Sequence, residues 1–204
     1  MGFYERTVLP RVVDLTCGTG QIAKLRARIT EGLAGDVVEV GFGSGHNVPH
    51  YPDDIRRVLA VDPSGTARKL AGRRLADSPI PVEFVGQDGE ELPIADESVD
   101  AALSTFTLCT IPHVDRALAE LRRVLRPGGA VHFLEHGLSP DPKVAAWQHR
   151  LTPIQKRIGG GCHLDRPIDR LLADAGLRVD EVRNYYLKGP KAFGYMYEGV
   201  AHKD

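Results

Sequence analysis

The stretch VVEVGFGSG, residues 37–45, constrains the fold of this chain more than any other part of its sequence. Its valines form a short apolar run, which is typical of a buried parallel strand. Gly41, Gly43 and Gly45 then supply a turn, because glycine adopts positive φ without a Cβ clash and lets the main chain approach a ligand. The spacing G-x-G-x-G is not the G-x-G-x-x-G of dinucleotide-binding enzymes. The stretch predicts a strand and a ligand-binding turn in an α/β fold.

Two carboxylates follow two further predicted strands. Asp62 ends the apolar run at 57–61, where an acid is placed to accept hydrogen bonds from both hydroxyls of a ribose, and Pro63 then turns the chain. Asp88 follows a strand at 82–85 and could accept a hydrogen bond from an adenine amino group. Two more strands and the amphipathic helix between them are predicted at 98–104, 130–135 and 113–125.

In this order, the motifs over about residues 36–136 resemble those of the class I S-adenosylmethionine-dependent methyltransferases. The resemblance implies an α/β fold with a doubly wound, Rossmann-like and mostly parallel sheet of seven strands, and S-adenosyl-L-methionine as the cofactor. In such a site the glycines pass under the methionine part, a strand-end glutamate holds its ammonium, and later residues surround the ribose and adenine. The implied cofactor contacts are Glu39, Gly41, Gly43, Gly45, Asp62, Pro63, Asp88, Gly89 and Thr105.

A second glycine-containing stretch competes with this assignment. Residues 12–20 read VVDLTCGTG and look like a strand and a turn, similar to the glycine motif of methyltransferases. The apolar residues at and before this stretch have helical spacing instead, and the later strands and carboxylates are in phase with Gly41. We therefore predict a short helix that ends near residue 16, a break at 18–20 and a second helix over 21–33.

Length and composition bound the organisation of the chain. With 204 residues, 42% hydrophobic and 26% charged, it is expected to be one domain with a full α/β core. A net charge of −1 gives no basic footprint for nucleic acid, and no apolar run is long enough to span a membrane. Three widely spaced cysteines do not suggest a disulfide framework, so a cytoplasmic location is expected. The oligomeric state stays open.

The single domain, 1–204, is expected to have four parts. These are an N-terminal helical cap at 1–35, a cofactor-binding core at 36–136, a lid insert at 137–165, and a C-terminal helix and strand pair at 166–204. The lid is inferred because its sequence is too long and too well patterned for a plain loop. Two lid helices are predicted at 143–151 and 153–158, before a break at three glycines, 159–161.

The second half of the chain permits a closer comparison. The segments STFTLCT (104–110), VLRPGG (124–129), FLEH (133–136) and GCHL (161–164) resemble the methyltransferase-like 7 family. Its characterised members are alkyl thiol S-methyltransferases, so the resemblance implies a small, largely apolar acceptor such as a thiol. Eukaryotic members carry an apolar N-terminal membrane anchor that has no counterpart in this sequence. The core also resembles the ubiquinone and menaquinone C-methyltransferases, so a quinone- or phenol-type C- or O-methyltransferase is the alternative.

The acceptor pocket is expected to be built by parts that the cofactor core does not need. Its expected wall residues, mainly apolar or aromatic, are Phe3, Tyr4, Phe106, Trp147, Cys162 and His163. His136 follows the fifth strand, where it is expected to orient or deprotonate the acceptor as the catalytic residue. No metal site is expected, because Cys162 and His163 are adjacent to each other and Cys109 is distant in sequence.

Two other classes of function compete with methyl transfer. An oxidoreductase that binds NAD is disfavoured by the glycine spacing and by the final strand pair, predicted at 177–186 and 193–201. A non-catalytic cofactor-binding module is disfavoured by the lid, because a lid serves mainly to exclude water around chemistry. Titration with S-adenosylmethionine against NAD separates the oxidoreductase from the methyltransferase.

Overall fold

The computed structural model describes residues 2–204, apart from the side chain of Glu5. The strands are β1 (Gly35–Val40), β2 (Ile55–Val61), β3 (Val82–Gly86), β4 (Val99–Thr105), β5 (Leu125–His136), β6 (Arg178–Tyr186) and β7 (Tyr195–His202). The α-helices are α1 (Leu9–Cys17), α2 (Gly20–Thr30), α3 (Gly65–Ala76), α4 (Val114–Val124), α5 (Pro142–Ile158), α6 (Ile168–Asp174) and α7 (Lys191–Gly194). A π-helical turn at Tyr4–Val8 precedes α1, and a 3-10 helix lies at Val48–His50. Among these described helices, none combines the length and the apolar character needed to cross a membrane.

The seven strands form one sheet in the order β3-β2-β1-β4-β5-β7-β6. The first five run parallel to one another. β7 is antiparallel to both β5 and β6, so the last two strands form a hairpin beside the parallel set. The expected seven-stranded, mostly parallel sheet is confirmed. Its order reverses between β1 and β4, and open α/β sheets bind ligands in the crevice at the carboxyl ends of such strands.

Neighbouring residues of β1 face opposite sides of the sheet, and each side has its own core. Val38 packs in a cluster with Leu118 and Leu121 of α4 on one side. Val37 packs in a second cluster with Ile29 of α2 on the other. A parallel strand that is covered on both faces is mainly apolar, which explains Val37, Val38 and Val40, and the one polar residue among them is the buried Glu39.

The N-terminal region has the predicted helices. Residues 9–17 are helical, so the glycine-containing stretch at 12–20 is not a strand and turn. α2 begins at Gly20 and ends at Thr30, somewhat earlier than the predicted residue 33. Leu33 is nevertheless buried in the core beyond the end of the helix.

The region predicted as a lid contains one helix where the sequence predicts two. α5 continues through Pro153 from Pro142 to Ile158. Pro153 lacks the N–H that would donate to the carbonyl of His149, so one hydrogen bond of the helix is missing. The turns on either side keep their hydrogen bonds, and the helix continues. The break therefore comes only at Gly159, the residue that follows the helix.

Candidate functional site

A cavity of about 550 Å³ lies at the carboxyl ends of the central parallel strands. Its walls combine the loops after β1, β2 and β4 with residues of α1 and the glycine segment 159–161. Of the cofactor contacts implied by the sequence, its described lining includes Gly41, Gly43, Asp62, Pro63, Asp88, Gly89 and Thr105. Glu39 and Gly45 are not on that lining. The crevice predicted from the strand ends is therefore present and gathers most of the expected residues.

The glycine turn lies directly against the loop after β4. Gly41, Gly43 and Gly45 have φ of +74°, +58° and +77°, in the left-handed region that favours glycine. A Cβ at Gly41 would overlap the side chain of Thr107, so the turn can approach this loop only without a side chain. A Cβ at Gly43 would meet nothing closer than 3.8 Å. Gly45 instead packs beside Phe42, where a Cβ would come within 3.3 Å of the ring.

Asp62 is buried immediately after β2 and holds two backbone groups. Its Oδ2 accepts a hydrogen bond from the N–H of Gly43 at 2.7 Å, and its Oδ1 accepts one from the N–H of Ser64 at 2.7 Å. Burial raises the pKa of the carboxyl above its usual value, although the two N–H groups favour the charged form. Each carboxylate oxygen has a second lone pair with which to bind a ligand hydroxyl.

Glu39 lies beneath the cavity and is almost completely buried. Its Oε1 accepts a hydrogen bond from Asn47 Nδ2 at 2.9 Å, and its Oε2 accepts one from the hydroxyl of Tyr51. Burial raises the pKa of the carboxyl to about 7. Glu39 is not on the described lining of the cavity, so its contact with a cofactor ammonium stays a prediction.

Arg26 of α2 brings a buried positive charge to the cavity. Its Nη1 donates hydrogen bonds to Asn47 Oδ1 at 2.8 Å and to Thr105 Oγ1 at 2.7 Å. Its Nε is buried without a partner among the residues that the structure describes. A buried guanidinium with an unused donor is a candidate contact for an anionic group of a ligand. Sequence reasoning missed it, and its only signal is its place beside the apolar Leu25 and Ile29.

The residues that the sequence assigns to adenine are also on the cavity lining. Gly89 is required there, since a Cβ would come within 2.8 Å of Val40 Cγ1. Phe106 has φ of +56°, which is uncommon for a bulky residue, and its N–H donates to the carbonyl of Leu134 at 2.9 Å. The guanidinium of Arg26 lies 5.4 Å from the centre of the Phe106 ring. The residues of this assignment on the lining are Pro63, Asp88, Gly89, Thr105 and Phe106.

Helix α1 covers the glycine turn. Asp14 accepts a hydrogen bond from Ser44 Oγ at 2.6 Å, which ties the helix to the turn. Arg74 of α3 donates to Asp14 Oδ1 at 3.1 Å and to the carbonyl of Ser44 at 2.8 Å. The apolar side of the helix faces the cavity through Leu9 and Val13. The stretch that resembles a second glycine motif is therefore a covering element of the first.

The six residues expected in the acceptor pocket lie in different places. Phe106 is on the lining of the cavity. Phe3 and Trp147 are 74% and 58% exposed and are not on its described lining, so the structure does not support them as wall residues. The hydroxyl of Tyr4 donates to the carbonyl at the end of α5 at 2.8 Å. His163 lines a separate, open depression beside α5.

His136 and Cys162 lie behind the cavity wall. His136 Nε2 is 3.0 Å from Cys162 Sγ, and neither residue is on the described lining. The expected action of His136 on the acceptor is not supported by this position, because its imidazole is engaged with the thiol. Cys109 lies beside this pair, and the ligand atoms of the three residues are all within 4.8 Å of one another. Hydrogen bonds from Cys109 and His136 lower the pKa of Cys162 to about 4, and the bond to Cys162 raises the pKa of Cys109.

Comparisons with known proteins agree with this fold. The protein-family model described as a methyltransferase domain matches residues 38–133. The chain is 37% identical to the thiol S-methyltransferase TMT1B of Rattus norvegicus, over 64% of this chain and 54% of that protein. It is 34% identical to the thiol S-methyltransferase TMT1A of Homo sapiens, over 78% of this chain and 69% of that protein.

A solved structure supports the same architecture. A SAM-dependent methyltransferase from Aquifex aeolicus matches with a TM-score of 0.66, covering 96% of this chain and 98% of the other, and at 19% identity this shows the fold alone. The chain spans 54% and 62% of the length of the rat and human TMT1B proteins. Its identity to TMT1A extends over more than two thirds of that protein. The chain belongs to the class I S-adenosylmethionine-dependent methyltransferases.

Proposed function

We propose that this chain transfers the methyl group of S-adenosyl-L-methionine to a small, largely apolar acceptor, and that the acceptor is a thiol. The observation that carries the proposal is the cavity in which a glycine turn, a buried strand-end carboxylate and a buried guanidinium come together. The thiol is supported by the similarity to TMT1A and TMT1B, which are named for thiol S-methylation.

The cavity residues fit the adenosine part of this cofactor. Asp62 would accept hydrogen bonds from the ribose hydroxyls, since its carboxylate lines the cavity beside the backbone of Gly43. Pro63 would pack against the adenine. Asp88 would accept from its amino group, and the close backbone approach at Gly89 leaves room for the ring.

The methionine part would lie over the glycine turn. Gly41 and Gly43 offer backbone without side chains there, and the unpartnered Nε of Arg26 would donate to the cofactor carboxylate. Glu39 would favour the ammonium as a negative charge beneath the cavity. When bound, the cofactor supplies an activated methyl group on a sulfonium. The task of the chain is then to hold the acceptor in line with that methyl group and to exclude water.

The covering elements give the acceptor a largely apolar surround. Leu9 and Val13 of α1 and Ile111 of the loop after β4 face the cavity. We assign the N-terminal helices as a cap and the region 137–165 as a lid, because parts of both border the cavity. A thiolate is itself a good nucleophile, so positioning in such a site is sufficient and a strong base is not required. Since TMT1A and TMT1B are named for small thiol acceptors, we propose that the partner is a small molecule and not a nucleic acid. The free cysteines support a reducing, cytoplasmic setting.

Replacing Asp62 by alanine is expected to weaken binding of S-adenosylmethionine by roughly 1.5–3 kcal/mol, about 10- to 150-fold. The variant loses the charged acceptor for the ribose and also frees the N–H of Gly43. Titration calorimetry measures the change. Asp53→Ala, which removes one exposed carboxylate from the loop before β2, is the matched control and should bind normally. Unchanged affinity in the Asp62 variant would remove this residue from the cofactor site.

Methyl transfer to small thiols is expected, and for a thiol whose pKa is about 8–9 the rate should rise with pH up to that pKa. The physical reason is that the thiolate is the nucleophile and the ionised fraction grows up to that pKa. A panel of thiols of graded pKa should shift the midpoint of the profile accordingly. Quinols and phenols form the comparison panel. Turnover of a quinol or phenol with none of any thiol would overturn the thiol assignment and leave methyl transfer itself intact.

A further inference from the structure

Three side chains that can bind metals meet behind the cavity from separate parts of the chain. Cys109 follows β4, His136 ends β5, and Cys162 follows the glycine segment 159–161. Their sulfur and nitrogen atoms all lie within 4.8 Å of one another. We propose that these three side chains bind a zinc ion, which fastens the end of the lid to the loop between β4 and α4.

The donor set suits zinc. Two thiolates and one neutral imidazole balance a divalent charge, and Cys₂His combinations with a fourth ligand are common in protein zinc sites. Cys109 and Cys162 are buried, free cysteines, and His136 is partly buried. The cation Arg166 is also close, but it donates to the carbonyls of Leu108 and Pro112 rather than to the sulfurs. The thiols therefore remain available to an ion.

The spacing reaches a tetrahedral site after a small adjustment. Bonds of about 2.3 Å to sulfur and about 2.0 Å to nitrogen place two sulfur ligands about 3.8 Å apart, and a sulfur and a nitrogen about 3.6 Å apart. His136 Nε2 and Cys162 Sγ are 3.0 Å apart, so they must separate by about half an ångström. The limit of 4.8 Å for every pair means that no ligand has to travel far.

Without an ion, hydrogen bonds from Cys109 and His136 to Cys162 link the three groups. Zinc would displace the thiol protons of this network, because it binds the thiolate form of cysteine. A disulfide between the two cysteines would consume the sulfur with which His136 is paired. A zinc ion would bind all three side chains at once, and a fourth ligand would complete the tetrahedron.

The position of the cluster indicates a structural ion. None of the three ligands is on the described cavity lining, whereas their chain neighbours Thr110 and Gly161 are. The two segments already touch here, since the N–H of His163 donates to the carbonyl of Cys109 at 2.8 Å. The ion would fix the glycine segment that borders the cavity without touching the acceptor. The proposal is independent of which acceptor the enzyme methylates.

Zinc binding is tested on the full chain with reduced thiols and zinc chloride alone. We expect one zinc per chain by mass spectrometry after loading and desalting, and a binding affinity measured against a chromophoric chelator. Cobalt(II) in the same site should give sulfur-to-cobalt charge transfer and the intense visible bands of tetrahedral coordination. Cys162→Ser and His136→Gln should each lower zinc affinity at least about a hundredfold. Cys17→Ser, at a free cysteine outside the cluster, should keep the stoichiometry of the unmodified chain.

Two results would overturn the proposal. One is an unmodified, reduced and folded chain that holds less than about a tenth of an equivalent of zinc, which needs no variant to fold. The other is zinc retained with equal affinity in Cys162→Ser and His136→Gln, which would place the metal elsewhere. Circular dichroism of each variant confirms that a lost site is not a lost fold.

Discussion

Replacing Gly41 by alanine is expected to lower the free energy of unfolding by about 2–5 kcal/mol. The residue has φ of +74°, where an L side chain is strained, and its Cβ would overlap the side chain of Thr107. Thr107 cannot withdraw easily, because it is buried and its N–H donates to Glu135 Oε1 at 2.9 Å. Urea unfolding with linear extrapolation measures the loss.

Gly43→Ala is the matched control for this variant. Gly43 has a similar φ of +58°, but its Cβ would meet no heavy atom closer than 3.8 Å. Gly43→Ala should therefore lower the free energy of unfolding by only about 1–2 kcal/mol, the cost of an L side chain in the left-handed region. Equal losses at the two positions would show that the overlap with Thr107 does not exist, and that the close approach of turn and loop is wrong.

The free energy of unfolding is expected to fall by about 3 kcal/mol as pH rises from about 4 to 8, through the single carboxyl of Glu39. Burial raises its pKa in the folded chain to about 7 from an ordinary 4.5. Between these values the unfolded chain releases its proton first, so rising pH favours unfolding. The stabilising contribution is complete below pH 4.5 and is lost as pH rises through the folded pKa of about 7.

Glu39→Gln isolates this contribution. The amide keeps the size of the side chain and an acceptor for Asn47, and it does not titrate. The stability of the variant relative to the unmodified chain should therefore improve by about 3 kcal/mol between pH 4 and 8. Glu83→Gln, at an exposed position, removes a carboxylate without burial and serves as control. A pH-independent difference for Glu39→Gln would mean that this carboxyl titrates normally.

Much of the sheet could be predicted because its central parallel strands are covered on both faces. This explains the valines at 37–40, with Glu39 as a buried exception, and the apolar run that ends at Asp62. The start of β5 was less predictable. It begins at Leu125 rather than near Ala130, since its first residues join the sheet across an irregular register that the polar and glycine residues 126–129 do not reveal.

The strand-end part of the site follows from general rules, and the rest does not. Asp62 and Gly41 were predictable, because ligands bind where parallel strands end and only glycine fits a crowded turn. Arg26 was not, since its role depends on which face of α2 covers the crevice. The proximity of Cys109 and Cys162 could not be predicted either, because it depends on how two distant loops fold against each other. Trp147 shows the same limit, since an aromatic residue on a helix does not reveal whether it faces a pocket or, as here, stays largely exposed beside Arg150.

The strand order also has a consequence for how this chain folds. β6 joins the sheet only through β7, and β7 in turn pairs with β5. Arg178–Tyr186 therefore cannot join the sheet before Tyr195–His202 has paired with β5. Until Tyr195–His202 follows, the β5 edge stays open, and open edges invite pairing with other chains. A chain that ends after Tyr186 should therefore aggregate more readily than the unmodified chain.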